Sequence, residues 1–214
     1  MPQQKRAQVT RDALIVAAAT VFAVRGYSRT TLDAVATAAG VTKGALYFHF
    51  ESKQALADAL ISEEVRRAGE RAQGILDRRE PGLTSMMLLC RGIADQMQTD
   101  IVVAAGIKLT VEEGTMDLDV AYPYLEWISM IESLAVKARD EGVLADGLDP
   151  AVLAGFVIPA FTGVQHVSNT LTDRADLLQR IREMWTVLLP AIVRPELLPD
   201  VIDLPASLLG TDGD

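Results

Sequence analysis

Nine residues constrain this chain more than any others: Thr42-Lys43-Gly44-Ala45-Leu46-Tyr47-Phe48-His49-Phe50. Thr42 is placed to cap a helix by accepting backbone N–H bonds. Leu46 and Phe50, four apart, share one face of that helix. At about 100° per residue, Gly44, Ala45, Tyr47 and Phe48 then point broadly away from that face. An outward face that is small, aromatic and flanked by Lys43 is unusual for a solvated helix. It suits a DNA major groove, where lysine donates to guanine O6 or N7 and apolar groups meet thymine methyls. Gly44 allows close backbone approach. The alternative for Tyr47 and Phe48 is plain packing on a neighbouring helix, and the flanking sequence weighs against it.

Upstream, Leu14, Ala18, Val21 and Phe22 recur at helical spacing in a helix expected over about 10–25, stopped by Gly26. A short helix follows over about 31–39, opened by Thr30 with Asp33 three residues on, a spacing that resembles a capping box. Gly40 ends it, and Val41-Thr42 begin the next after only a few residues. Two short helices joined by a tight glycine-containing turn outline a helix-turn-helix. Leu46 and Phe50 would pack against Val21, Phe22, Leu32 and Val35. Phosphates then come within reach of Thr30, Thr31, His49 and Lys53 and of backbone amides at the helix N-termini. Thr42, Lys5 and Arg6 complete the DNA-facing candidates.

The rest of the chain keeps helical periodicity, and no region alternates as a set of strands does. The expected class is all-α with about nine helices, the later ones over about 53–78, 82–99, 101–112, 122–141, 149–170 and 173–194. Ser52 is a further N-cap candidate, and Asp149-Pro150 reads as an N-cap followed by proline at N1. Residues 1–53 are the expected DNA-binding domain and 54–198 a larger ligand-binding and dimerisation domain. Residues 199–214, with Pro199, Pro205 and a Gly-Thr-Asp-Gly-Asp ending, are expected to be a loosely ordered tail.

The net charge of −9 over 214 residues argues at face value against nucleic acid. The average hides a division. Residues 1–53 hold 7 basic and 3 acidic side chains, a net of +4, while the remainder holds 13 basic and 26 acidic, a net of −13. A small basic reader is joined to a larger acidic helical domain. Pro150 to Thr172 carries no Asp, Glu, Lys or Arg and is long enough to span a bilayer. Pro159 and the polar residues from Thr162 onward interrupt it, so a core or interface helix is expected rather than a membrane span. Cys90, the single cysteine, lies in an apolar run and reads as a small buried hydrophobe. With Met1 to Arg6 lacking the apolar run of a signal peptide, a reducing cytoplasm is expected.

Gly26-Tyr27, Thr30-Thr31-Leu32, Ala39-Gly40-Val41, the run Thr42 to Phe50 and Ser52-Lys53 resemble the DNA-binding signature of the TetR family of repressors, over about a quarter of the chain. The resemblance implies a homodimer whose third helix reads operator DNA and whose C-terminal domain binds a small inducer. It implies base-reading or groove-lining roles for Lys43, Gly44, Ala45, Tyr47 and Phe48, and phosphate contacts for Thr30, Thr31, His49 and Lys53. Further on, Tyr122-Pro123-Tyr124-Leu125-Glu126-Trp127, Gly163 to Asn169 and Arg174-Ala175-Asp176 resemble the γ-butyrolactone autoregulator receptors of Streptomyces-type bacteria. That resemblance implies that Trp127 lines the inducer pocket. It also implies γ-butyrolactones, butenolides or related furans as ligands controlling antibiotic production and development. A TetR-type regulator of efflux or catabolism, answering to a drug or other lipophile, is the alternative.

The residues give the pocket some support of their own. Ile158, Thr162, Gln165 and Asn169 share one stripe of the uncharged helix. Thr162 and Gln165 could bind a lactone carbonyl and hydroxyl, with Phe161 among the apolar lining residues. Alternatively the two polar groups satisfy backbone or partner-subunit atoms. Two stripes suit a homodimer through the last two long helices: Val152, Phe156, Ala160, Gly163, Val167 and Leu171 on one, and Leu177, Leu178, Ile181, Met184, Trp185, Leu188 and Leu189 on the other. No glycine-rich phosphate loop, nucleophile elbow or metal constellation is visible, so no enzyme, cofactor or metal site is expected.

Overall fold

The computed structural model describes residues 2–111 and 121–210. The described residues form eleven helices: α1 (Pro2–Arg29), α2 (Leu32–Ala38), α3 (Lys43–His49), α4 (Lys53–Leu76), α5 (Gly82–Thr99), α6 (Ile101–Val111), α7 (Ala121–Asp140), α8 (Pro150–Thr172), α9 (Leu177–Ile192), α10 (Leu198–Val201) and α11 (Leu204–Leu209). Among them extended pairing is limited to one isolated antiparallel bridge, Leu144 to Val193. The all-α class holds, with two more helices than the nine or so expected.

The two extra helices fall where a loose tail was expected from residue 199. Pro199 and Pro205 each sit at the first or second helical position of α10 and α11. There a missing N–H leaves nothing unsatisfied, so these prolines start helices rather than forbid them. Pro205 and Leu209 are buried, and α11 packs on α9. Residues 211–214 of the expected tail lie outside the described residues. At the other end, α1 starts well before the expected Thr10. Gly26 interrupts it at φ 71°, ψ 168°, before a last turn to Arg29.

The chain divides into two compact units, Met1–Glu70 with Gln96–Val120, and Arg71–Asp95 with Ala121–Asp214. The expected boundary near residue 53 marks where the charge changes sign, not where the packing changes. The head is larger because it also contains α6, which packs on α1, and the first part of α4. Its core joins Leu14, Ala18, Val21 and Phe22 of α1 to Val35, Leu46, Phe50, Leu56, Leu60, Val102 and Leu109, with Leu32 packed against it. Each large apolar side chain so buried contributes about 1.5–3 kcal/mol before entropy is counted.

In the second unit α8 packs against α7 and α9. Gly82 opens α5 where a Cβ would stand 2.5 Å from the Leu134 carbonyl oxygen and 2.6 Å from the Ala138 nitrogen, so only glycine fits. Asp149 caps α8 by accepting from the Ala151 N–H, with Pro150 in the first turn, as expected. A polar knot ties the α8–α9 corner, where Asp173 and Arg174 have positive φ of 50° and 68°. Asp176 accepts from Ser168 Oγ at 2.6 Å, Thr172 Oγ1 at 2.7 Å and Arg180 Nε at 2.7 Å. These bonds, the Ser168 hydroxyl first, hold its carboxyl down at about 2.

Candidate nucleic-acid interface and ligand residues

In the head, α2 and α3 are joined through Gly40 at φ 66°. The Val41 N–H donates to the Ala36 carbonyl at 3.0 Å and the Gly40 N–H to the Thr37 carbonyl at 3.1 Å, which closes α2 with a Schellman turn. Thr42 caps α3 by accepting from the Ala45 N–H at 3.2 Å. Leu46 and Phe50 are buried in the shared core. That fixes the roll of α3, leaving Phe48 80% and Tyr47 54% exposed. Gly44 is exposed, and a Cβ there would meet only the Thr42 hydroxyl, at 4.0 Å; Ala45 is half-buried, and the His49 ring stands edge-on to Phe48 at 5.1 Å. Two large aromatic rings on the outside of a two-turn helix form a surface that water solvates poorly.

The cations are less free than the sequence suggests. Lys43 is ion-paired with Asp33 of α2, and that hydrogen bond raises the lysine pKa. Lys53 Nζ donates to the Tyr27 carbonyl at 3.0 Å and the Ser28 carbonyl at 3.3 Å, and sits 4.2 Å over the Tyr27 ring. It therefore ties α4 to the end of α1, and two of its three donors are committed. Thr30 departs furthest from expectation. It is 2% exposed and its hydroxyl donates to the Gly26 carbonyl at 2.8 Å. The N-cap of α2 is instead Thr31, which accepts from the Ala34 N–H and is exposed. Thr30 completes the Gly26 break, which leaves the next residue to begin the helix. Lys5 and Arg6 are exposed on the first turns of α1.

In the second unit, Ile158 and Phe161 are each 8% exposed and Gln165 7% on the inward face of α8, while Trp127 of α7 is half-buried. Thr162 is half-buried and donates its hydroxyl to the Ile158 carbonyl at 2.9 Å, so it keeps lone pairs to accept with but no proton to give. The two stripes assigned to dimerisation separate. Val152, Phe156, Val167 and Leu171 are 64%, 55%, 42% and 66% exposed along α8. Leu177, Ile181, Trp185 and Leu189, spaced four apart on α9, are fully buried in the chain's own core. Leu178, Met184 and Leu188 of the same stripe are half-buried, and Val187 beside them is 79% exposed.

Residues 14–60 match the bacterial regulatory proteins of the tetR family, and residues 80–194 match the tetracyclin repressor-like C-terminal domain. The chain belongs to the TetR family. A relative within it, the A-factor receptor protein of Streptomyces griseus, is 32% identical over 201 residues, 94% of this chain and 70% of that protein. A solved γ-butyrolactone receptor, an ArpA-like protein, superposes with a TM-score of 0.81 at 29% identity, covering 95% of this chain and 98% of its own. CprB of Streptomyces coelicolor, solved with its biological operator sequence, gives a TM-score of 0.78 at 30% identity, covering 95% and 98%.

The TetR-family head contains contacts that the sequence reading did not assign. Arg11 lies 5.3 Å over the Phe50 ring, clamping the end of α3 to α1. Asp33, taken as half of a capping box, is the partner of Lys43. An acidic residue in the first turn of a helix is usually explained by the helix dipole, so it gave no sign of a cross-helix role. In the C-terminal domain, Trp185 is fully buried beside Cys90. Burial pushes the Cys90 thiol up to about 12, leaving it a small inert hydrophobe. Among the described residues no group of three His, Cys, Asp or Glu could hold a metal ion.

Proposed function

We propose that this TetR-family chain is a ligand-responsive transcriptional repressor. It binds a pseudo-palindromic operator as a homodimer and is released by a small lipophilic autoregulator of the γ-butyrolactone or butenolide class, controlling secondary metabolism or development. The observation that carries the DNA half is the outward face of α3, with Phe48 and Tyr47 exposed beside Lys43. Lys43 Nζ leaves Asp33 to donate to a guanine edge, while Tyr47, Phe48 and Ala45 line the groove against thymine methyls. Thr31, His49, Lys5, Arg6 and the third donor of Lys53 meet phosphates, which set register rather than sequence.

The inducer half is supported by the two relatives named for γ-butyrolactones or the A-factor and by the placement of the polar Gln165, buried, beside Ile158 and Phe161 on the inward face of α8. Gln165 donates to the lactone carbonyl and Thr162 accepts from its hydroxyl, while Trp127, Ile158 and Phe161 enclose the alkyl tail. Two protomers pair through the exposed stripe of α8 and place their α3 helices about 34–36 Å apart, one turn of DNA. Inducer and operator then oppose each other through a coupling free energy, since each favours a different dimer geometry. The protein works in the cytoplasm without a cofactor and does not turn its ligand over.

A gel shift on DNA from the chain's own upstream region tests this. Retardation at low salt, abolished by micromolar γ-butyrolactone but not by an unrelated lipophilic drug, is the expected result. Failure to retard any such fragment removes the repressor reading. Release by the drug alone would instead favour a regulator of efflux.

A further inference from the structure

A cleft of about 210 Å³ in the second unit lies outside every residue assigned above. Arg71 and Ile75 of α4, Arg78 just beyond its end, Arg91 and Asp95 of α5, and Leu208 of α11 form most of its wall. We propose that this cleft is a second ligand site, one that takes a small amphipathic anion: a carboxylate or phosphate head on a short apolar body.

The geometry is built rather than incidental. Arg71 Nη2 and Arg91 Nε each lie 3.7 Å from the same oxygen, Asp95 Oδ2, so one carboxylate holds two guanidinium groups side by side. Arg91 is further fixed by donating Nη1 to the Leu208 carbonyl at 2.8 Å, which ties α11 across the cleft. Gly92 keeps the wall thin, since a Cβ there would meet Ile75 Cδ1 at 2.8 Å. Three arginines and one carboxylate line the cleft, in a chain that is otherwise strongly acidic. Guanidinium forks bind carboxylate and phosphate through paired charge-assisted bonds. Ile75, Leu88 and Leu208 give the cleft apolar wall, where each methylene removed from water raises affinity about fourfold. The volume is below the roughly 300–1,000 Å³ of sites for drug-sized ligands, which limits the body to a short chain.

Isothermal titration of the full-length protein at constant ionic strength tests the site, with hexanoate as probe, hexanol as its uncharged counterpart and inorganic phosphate as a head without a body. Hexanoate is expected to bind saturably, one per chain, and more tightly than phosphate or hexanol. The Arg71→Gln/Arg78→Gln pair should weaken it at least about tenfold, the loss of roughly one charge-assisted bond. Both residues are on the surface, and a melting curve matching the parent confirms that the pair folds. The Trp127→Ala variant should bind hexanoate unchanged, which separates this cleft from the lactone site. No saturable hexanoate binding, equal binding by the arginine pair, loss in Trp127→Ala, or equal affinity for hexanol or phosphate would each overturn the proposal.

Discussion

A side-chain carbon at Gly106 would stand 2.4 Å from the Cβ of Glu64, so α6 meets α4 here only because residue 106 is glycine. Glu64 is 2% exposed, and burial pushes its carboxyl up to about 8 from an ordinary 4.5. Between those two pH values the folded chain keeps a proton that the unfolded chain has released. Stability therefore falls as pH rises through that window, by an amount on the order of 4 kcal/mol at its top. Glu64→Gln should melt higher than the parent at pH 8.5 and nearly with it at pH 4.5. Parallel melting curves at the two pH values would show the carboxyl to be ionised in the fold. Gly106→Ala should destabilise by about 1–3 kcal/mol at any pH, since the clash is with a β-carbon close to the backbone.

Thr42 and Thr31 each accept one N–H at the start of a seven-residue helix. Replacing either by alanine should cost about 1 kcal/mol of stability, read as a lower melting temperature. Thr30→Ala should be at least as harmful to stability despite its DNA-facing position in sequence, because the buried Thr30 hydroxyl serves the part-buried Gly26 carbonyl.

Lys43→Ala and Lys53→Ala should fail in different ways. Lys43 is exposed and its loss removes the proposed base contact, so operator affinity should drop by about 1–3 kcal/mol while discrimination between operator variants weakens and the melting temperature barely moves. Lys53→Ala strips donors from two carbonyls at the end of α1 and should lower the melting temperature as well as the affinity. Equal melting temperatures for both variants would contradict the role given to Lys53.

The helix-turn-helix was legible in the sequence because its signals are local: Gly40, the capping threonine at 42, and Leu46 and Phe50 at helical spacing. The N-cap at Thr31 rather than Thr30, and the burial of Leu177, Ile181, Trp185 and Leu189 within the chain, escape a sequence reading for one cause. A one-residue shift of an N-cap depends on where the preceding helix breaks. Which of two apolar faces looks inward depends on partners far along the chain. On α8 both faces are apolar, so composition alone could not separate Leu153, Val157 and Phe161, which are buried, from Val152, Phe156 and Leu171, which are not. Pro199 and Pro205 give no sign of α10 and α11 in the sequence, because proline marks both the end of a helix and its first turn.

Trp127→Ala should leave operator binding intact and reduce release by γ-butyrolactone at least about tenfold, as expected when a large aromatic side chain leaves a ligand pocket. A titration of the gel shift with the lactone measures this directly. Normal release by the variant would remove Trp127 from the site.

Phe156→Glu places a charge in the exposed stripe of α8 without touching the chain's own core. It should halve the mass seen by light scattering and weaken operator binding, since each half-site then binds alone. An unchanged mass would exclude this stripe as the contact between protomers.

The two faces of α8 bear on what a melting curve of this protein reports. In the proposed dimer one face is closed by the chain itself and the other by a second copy. Part of the free energy of folding is then supplied by association, and the midpoint of unfolding should climb as the protein is concentrated. In a cell that makes few copies, dilution alone would favour the separated protomer, so the level of expression helps decide how firmly the operator is held.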